Sequence, residues 1–287
     1  MWHLLAQAQP GQRNWADVID SLARTPLSQV VLFVAICTGL RVLVAPYLAR
    51  VQPHQRSGGY TAAKIFNELL DAVIYAGVFV FLIIRPFCIQ AFKIPTGSML
   101  ETLQINDFIV ANKAIYRYTT PRVGDIVVFR PPSYAVMPHQ VDEKGEVNVD
   151  YIKRCVGVPG DVVEIRDGVL YRNGKAQKEP YLRERPETDF KLVKYNNSYW
   201  PLTITGDQVN GDSRTARPYQ VDPGNYEVMA QLKELKPAPI PPNHYLMMGD
   251  NRNDSFDGRA WGLINGDQVI GRSEFIWLPV SRWRSTR

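Results

Sequence analysis

Ser98 lies in the stretch Ile94-Pro95-Thr96-Gly97-Ser98-Met99-Leu100-Glu101-Thr102-Leu103, a Pro/Thr/Gly turn of the kind that aims a side chain outward. A serine hydroxyl is a weak nucleophile until a neighbouring base takes its proton. The chemistry open to this turn therefore depends on the base the rest of the chain supplies. The 4 histidines, His3, His54, His139 and His244, sit in no local catalytic or metal-ligand pattern. His244 follows Pro242 and reads as a turn residue. A Ser-His-Asp triad assembles from distant positions and stays open, without support from spacing. A lysine is better placed. Between Asp150 and Asp161, Lys153 is the one lysine of an apolar strand ending at the Pro159-Gly160 turn. Strand alternation puts Tyr151, Lys153 and Cys155 on one face, and Ile152, Arg154 and Val156 on the other. Burial strips an ammonium of hydration and lowers its pKa, and only the neutral amine can accept a serine proton. Taken alone, such a lysine has a plainer reading, as the edge of a solvated strand. A third stretch, Met248 to Gly262, is a dense polar loop. Its Asp spacing does not fit an EF-hand, which needs a distal Glu ligand. Its hydroxyls and Asp/Arg pairs suit the support of a site.

The elements that must position these groups begin with two apolar runs. Residues 27–48 carry one charge, Arg41, which could snorkel toward the near interface. Residues 69–84 continue past Arg85 to Phe92, with Asp71 near the start. Each approaches the roughly 20 mostly apolar residues that spanning requires. The expected organisation is a tail 1–26, a transmembrane helix 27–48, a basic loop 49–68, a second transmembrane helix 69–92, and one domain 93–287. Residues 1–92 hold 7 Lys/Arg against 4 Asp/Glu, so +3 of the net +5 charge lies there. That concentration suits a lipid surface better than nucleic acid. The loop carries 3 Lys/Arg and the tail 2, so the positive-inside rule places the loop in the cytoplasm and both ends outside it. The start lacks a basic n-region before a short apolar core, so a cleaved export signal is not expected.

From residue 105 the pattern changes to short strands with turn punctuation. Residues 108–111, 125–130, 161–166, 169–172 and 274–278 read as strands, and Asp167-Gly168 and Asn173-Gly174 as hairpin turns. A mainly β catalytic domain is expected. Residues 182–245 are rich in Pro, Tyr and charge and read as an insertion or subdomain on the main sheet. The 3 cysteines, Cys37, Cys88 and Cys155, form neither a disulfide framework nor a zinc site, although a Cys88–Cys155 pair stays conceivable.

Three stretches in this order, after a membrane anchor, resemble bacterial type I signal peptidase, also called leader peptidase. The serine box is Ile94 to Leu103, the lysine box Tyr151 to Asp161, and the Gly-Asp-Asn-Arg box Gly249 to Trp261; Gly124 to Phe129 matches the intervening strand. The resemblance implies a Ser/Lys-dyad protease with a signal-peptidase-like β fold, cutting signal peptides from exported preproteins on the outer side of the cytoplasmic membrane. It implies Ser98 as nucleophile and Lys153 as general base. The oxyanion would rest on the Ser98 backbone N–H and the Thr96 hydroxyl. Ser255 would orient the Lys153 amine, and Asp257 and Arg259 would hold the loop carrying Ser255. Walls for the small −1 and −3 side chains would come from Phe92, Ile94, Pro95, Met99, Leu103, Tyr151 and Ile152. Partners would be preproteins, the bilayer and the export translocon, with no cofactor, metal or nucleic acid. Glu101 stands where the pattern has proline, Thr96 where serine is common, and Gly258 where serine is commoner. Lysine at the base position argues against the endoplasmic-reticulum branch.

Three other readings compete. A self-cleaving repressor-type protease shares the chemistry but needs a soluble DNA-binding module in place of the apolar runs. A penicillin-binding-type acyltransferase needs S-x-x-K, and Glu101 breaks it. A non-enzymatic membrane-anchored β domain, or an inactive paralogue, predicts an exposed Lys153 remote from Ser98.

Overall fold

A computed structural model describes residues 25–52, 56–84, 87–206, 208–211 and 226–286. Expectations resting on residues 1–24, His3, His54, Arg85 and residues 212–225 lie outside these. The chain divides into two compact units, Met1–Ala91 and Phe92–Arg287.

Among the described residues the first unit holds two helices, α1 (Leu27–Arg50) and α2 (Gly58–Phe79), the latter continued by a π-helical turn over Val80–Ile84. At about 1.5 Å per residue, 24 and 27 residues exceed the ~30 Å hydrocarbon thickness, and both helices are apolar enough to cross a membrane. The second helix starts at Gly58, well before the apolar run at Leu69, so most of the expected 49–68 loop is helical. Ser57 occupies the N-cap position and Lys64 pairs with Glu68 one turn on, at 3.7 Å. The Ser57-Gly58-Gly59 break thus marks a helix start. Arg41 does not snorkel: its guanidinium pairs with the Asp71 carboxylate on the facing helix and donates to Asn67 Oδ1. A charge among apolar residues is best stabilised by a counter-charge within reach.

The second unit, entered by a strand that begins at Ile89, is mainly β. The strands are β1 (Ile89–Lys93), β2 (Phe108–Asn112), β3 (Ile126–Phe129), β4 (Tyr151–Gly157), β5 (Val163–Arg166), β6 (Val169–Arg172), β7 (Lys175–Ala176), β8 (Asp189–Tyr195), β9 (Ser198–Thr205), β10 (Gln208–Gly211), β11 (His244–Met248), β12 (Ile264–Asn265), β13 (Val269–Leu278) and β14 (Arg284–Ser285). Among the described residues two short α-helices join them, α3 (Tyr226–Glu234) and α4 (Gly258–Trp261). One sheet runs β1-β2-β13-β3-β4-β11-β12 with β14 on β13; the other runs β10-β9-β8-β5-β6-β7. The last long strand, β13, does not close an edge but lies between β2 and β3.

Both expected hairpin turns form, with positive φ at Asp167, Gly168, Asn173 and Gly174, as the mirror-image turns of tight hairpins require. Among the described residues of 182–245, three strands lie in the second sheet. Their strands β8 and β9 extend the second sheet from β5, turning at Asn196-Asn197. Ile126 and Val128 face one core cluster and Val127 and Phe129 another, so β3 is enclosed on both sides. That enclosure explains its unbroken apolar run. A further cluster joins Val156, Leu246 and Met248 of the first sheet to Val163, Ile165, Leu170, Phe190 and Leu192 of the second. All three cysteines carry free thiols.

Candidate active site

The serine turn is a loop tied at its base. Ile94 donates its N–H to the Asp107 carbonyl, and Asn106 donates to the Ile94 carbonyl. Ile94, Met99 and Leu103, all but enclosed, sink one side of the loop into the cluster with Ile109, Ala111, Ile126, Val128 and Ile276. With that side anchored, half-buried Ser98 is left facing the lysine strand. Glu101 has φ +74°, a value closed to proline, whose ring fixes φ near −65°. The departure at Glu101 is therefore conformational.

Strand β4 brings Lys153 to the serine turn. It pairs with β3 in the register Val127↔Lys153 and Val128↔Ile152, which turns Lys153 and Arg154 to opposite faces. The Lys153 amine donates to Ser98 Oγ at 2.5 Å and stands 5.7 Å from the Tyr151 ring centre. Lys153 is 6% exposed. Burial is the largest influence on its amine, with Arg259 acting in the same direction; Asp257 and Asp250 oppose them, and the net pKa falls from 10.5 to about 8. An exposed lysine remote from Ser98, as the non-enzymatic reading requires, is not what the fold builds.

The polar loop clamps the serine turn. Asn251 donates its backbone N–H to the Ser98 carbonyl and its side-chain amide to the Gly97 carbonyl, each at 3.1 Å. A Cβ on Gly249 would stand 2.2 Å from Ser255 Oγ and 2.5 Å from the Ser98 carbonyl oxygen, so only glycine permits this approach. Asp257 caps α4 through the Arg259 N–H, accepts the Gly249 N–H, and pairs with the Arg259 guanidinium. Burial alone would raise the Asp257 carboxyl; Arg259 and the two N–H donors outweigh it and hold it below its ordinary range. Gly258 is explained too: a Cβ there would lie 2.7 Å from the Met247 carbonyl oxygen.

Behind β4, Arg154 donates to Asp250 through Nε at 2.8 Å and Nη2 at 2.6 Å, and to the Gly124 carbonyl. Thr102 Oγ1 donates to the same carboxylate at 2.5 Å. This ties the serine loop, the lysine strand and the polar loop at one carboxylate. Spacing alone does not reveal it, although an arginine inside an apolar strand demands a buried counter-charge.

Several expected roles are placed differently. Ser255 Oγ makes no hydrogen bond to Lys153; it is buried without a partner among the described residues, against Gly249. Leu103 is 0% exposed and offers no surface to a ligand. Phe92 and Ile152 pack beside Ile94 and Met99, but Tyr151 belongs to another cluster, its hydroxyl donated to the Ala135 carbonyl at 3.0 Å. Pro95 and Thr96 are exposed. The His244 ring nitrogen meets the Pro242 carbonyl at 2.8 Å, a turn contact.

Residues 66–278 match the family model described as signal peptidase, peptidase S26. Among curated proteins, signal peptidase IB of Staphylococcus aureus is 33% identical over 220 residues, covering 76% of this chain and 94% of that protein. Signal peptidase I of Pseudomonas fluorescens is 30% identical over 229 residues, covering 70% and 69%. A solved signal peptidase I from Enterococcus faecalis aligns at TM-score 0.30 and 25% identity, over 54% of this chain and 97% of that one. A family match over most of the chain, spanning all three boxes that meet around Ser98 and Lys153, establishes that this chain belongs to the signal peptidase family, peptidase S26.

Proposed function

We propose that the chain is a membrane-anchored serine endopeptidase that removes N-terminal signal peptides from exported preproteins, with Ser98 as nucleophile and Lys153 as general base. The observation that carries this reading is the 2.5 Å contact of the enclosed Lys153 amine with Ser98 Oγ. With a pKa of about 8, roughly a tenth of the amine is neutral at pH 7. At the ordinary value of 10.5 the neutral fraction would be about 300-fold smaller. Burial thus supplies the base.

In the forward step, neutral Lys153 takes the Ser98 proton as Oγ attacks the scissile carbonyl carbon. The oxyanion is assigned to the Ser98 N–H and the Thr96 hydroxyl, a type of donor that contributes about 3 kcal/mol each. The lysine ammonium returns its proton to the leaving amine. The neutral amine then draws a proton from the water that hydrolyses the ester. Shallow walls around the part-exposed Phe92 and Ile152 favour alanine-sized side chains at the −1 and −3 positions.

Both helices are assigned to the bacterial cytoplasmic membrane. The basic connection between them faces the cytoplasm, and the β unit lies outside, where exported chains emerge from the translocon. Purified full-length protein in liposomes, mixed with an exported precursor, tests the reading. It predicts one new N-terminus after a small residue, and no such product from Ser98→Ala. A product unchanged by Ser98→Ala would refute it.

A further inference from the structure

Segment 179–187 reaches both halves of the site from behind. The Glu179 carboxylate pairs with the Arg252 guanidinium at 2.5 and 3.2 Å, and the two side chains are 5% and 0% exposed. Tyr181 donates its hydroxyl to Glu179 Oε1 at 2.8 Å. Its ring lies under the Arg154 guanidinium, 3.8 Å from ring centre to Cζ. Further along, Asn253 donates to the Arg185 carbonyl and accepts the Glu187 N–H, each at 3.0 Å.

The two arginines gripped here adjoin the chemistry. Arg154 follows Lys153 in β4 and points to the opposite face. Arg252 belongs to the loop whose Asn251 holds the Ser98 carbonyl, and Arg252 Nε donates to the Gly249 carbonyl. The Arg252 carbonyl in turn accepts the Arg259 guanidinium at 2.5 Å. An enclosed guanidinium with its carboxylate removed is strongly disfavoured, so Glu179 fixes where Arg252 can sit. A cation stacked on an aromatic face and held by a second carboxylate has little freedom to move. The strap therefore constrains the lysine strand and the serine-bracing loop together.

We propose that Glu179 and Tyr181 are positioning residues for the Ser98–Lys153 pair, acting through Arg252 and Arg154. This rests on the proposed dyad. Neither residue touches Ser98 or Lys153, so the effect falls on turnover rather than on substrate binding.

The test uses the full chain in detergent or liposomes, with kcat and KM measured on a preprotein below the melting temperature of every variant. Wild type and Ser98→Ala run alongside; equal cleavage by those two would fail the dyad reading itself, separately from the strap. Tyr181→Leu removes the ring beneath Arg154 and should lower kcat by about tenfold or more, with KM within about twofold, since a displacement near 1 Å can cost a hundredfold. Tyr181→Phe keeps the ring and should recover kcat to within about threefold of wild type. Where Tyr181→Leu fails to fold, Glu179→Asp keeps the charge but shortens the reach, and should lower kcat severalfold at unchanged KM. A folded Tyr181→Leu or Glu179→Asp with wild-type kcat, or a loss appearing in KM alone, overturns the proposal.

Discussion

The Lys153 amine reaches the Ser98 hydroxyl at 2.5 Å across 55 residues of sequence, and on the opposite face of the same strand Arg154 grips Asp250. One face thus carries a desolvated amine and the other a paired charge. The first consequence is a pH dependence. On the proposed mechanism activity needs neutral Lys153, whose pKa is lowered by burial to about 8. kcat/KM should therefore rise with pH along a limb centred near 8, about tenfold per unit below it. A profile flat from pH 6 to 9 would point to another base.

The same amine burdens the fold. Its folded pKa of about 8 lies below the ordinary 10.5, so between these values the unfolded chain holds more protons and stability rises with pH. Below that window the full burden, on the order of 3 kcal/mol, opposes folding. Lys153→Met should consequently raise the melting temperature at pH 7 while abolishing cleavage, and the gain should vanish above pH 10.5. Paired thermal melts at both pH values check this; a lower melting temperature at pH 7 would contradict it.

Gly249 lies against the serine turn. A methyl there meets the Ser98 carbonyl at 2.5 Å and Ser255 Cβ at 2.6 Å, so the serine turn must shift. Gly249→Ala should reduce kcat about a hundredfold. Adding Ser255→Ala should not restore it, because the backbone contact persists. Steady-state kinetics of the single and double variants decide the matter.

In the helical unit, Arg41 and Asp71 compensate each other. Arg41→Leu and Asp71→Leu should each lower the melting temperature in detergent by stranding one charge. The double variant should recover about half the loss or more, because removing both partners leaves no unpaired ion. A strictly additive double variant would show that the pair has no coupling.

The serine turn and the lysine strand were legible in the sequence because each rests on a local pattern. A serine in a Pro/Thr/Gly turn and a lysine inside an apolar strand each signal themselves, and strand alternation separates Lys153 from Arg154 without any structure. Partnerships such as Glu179–Arg252 have no periodicity, and 73 residues separate the two. The start of α2 was hidden because residues 58–68 are helical without being apolar. Residues 182–245 hid their place in the fold because the partner of β8, β5, comes from outside the segment. The expected Ser255–Lys153 hydrogen bond failed for a geometric reason, since the hydroxyl is turned onto Gly249.

On the proposed mechanism one hydroxyl and one uncharged amine do the cutting. Preprotein cleavage at pH 8 by Ser98→Ala, Lys153→Ala and Lys153→Arg tests it most directly, with folding verified by thermal melts. All three should be inactive, Lys153→Arg included, because a guanidinium stays protonated far above this pH and cannot accept the serine proton. Cleavage at a rate comparable to wild type by any of the three, correctly folded, would contradict the account.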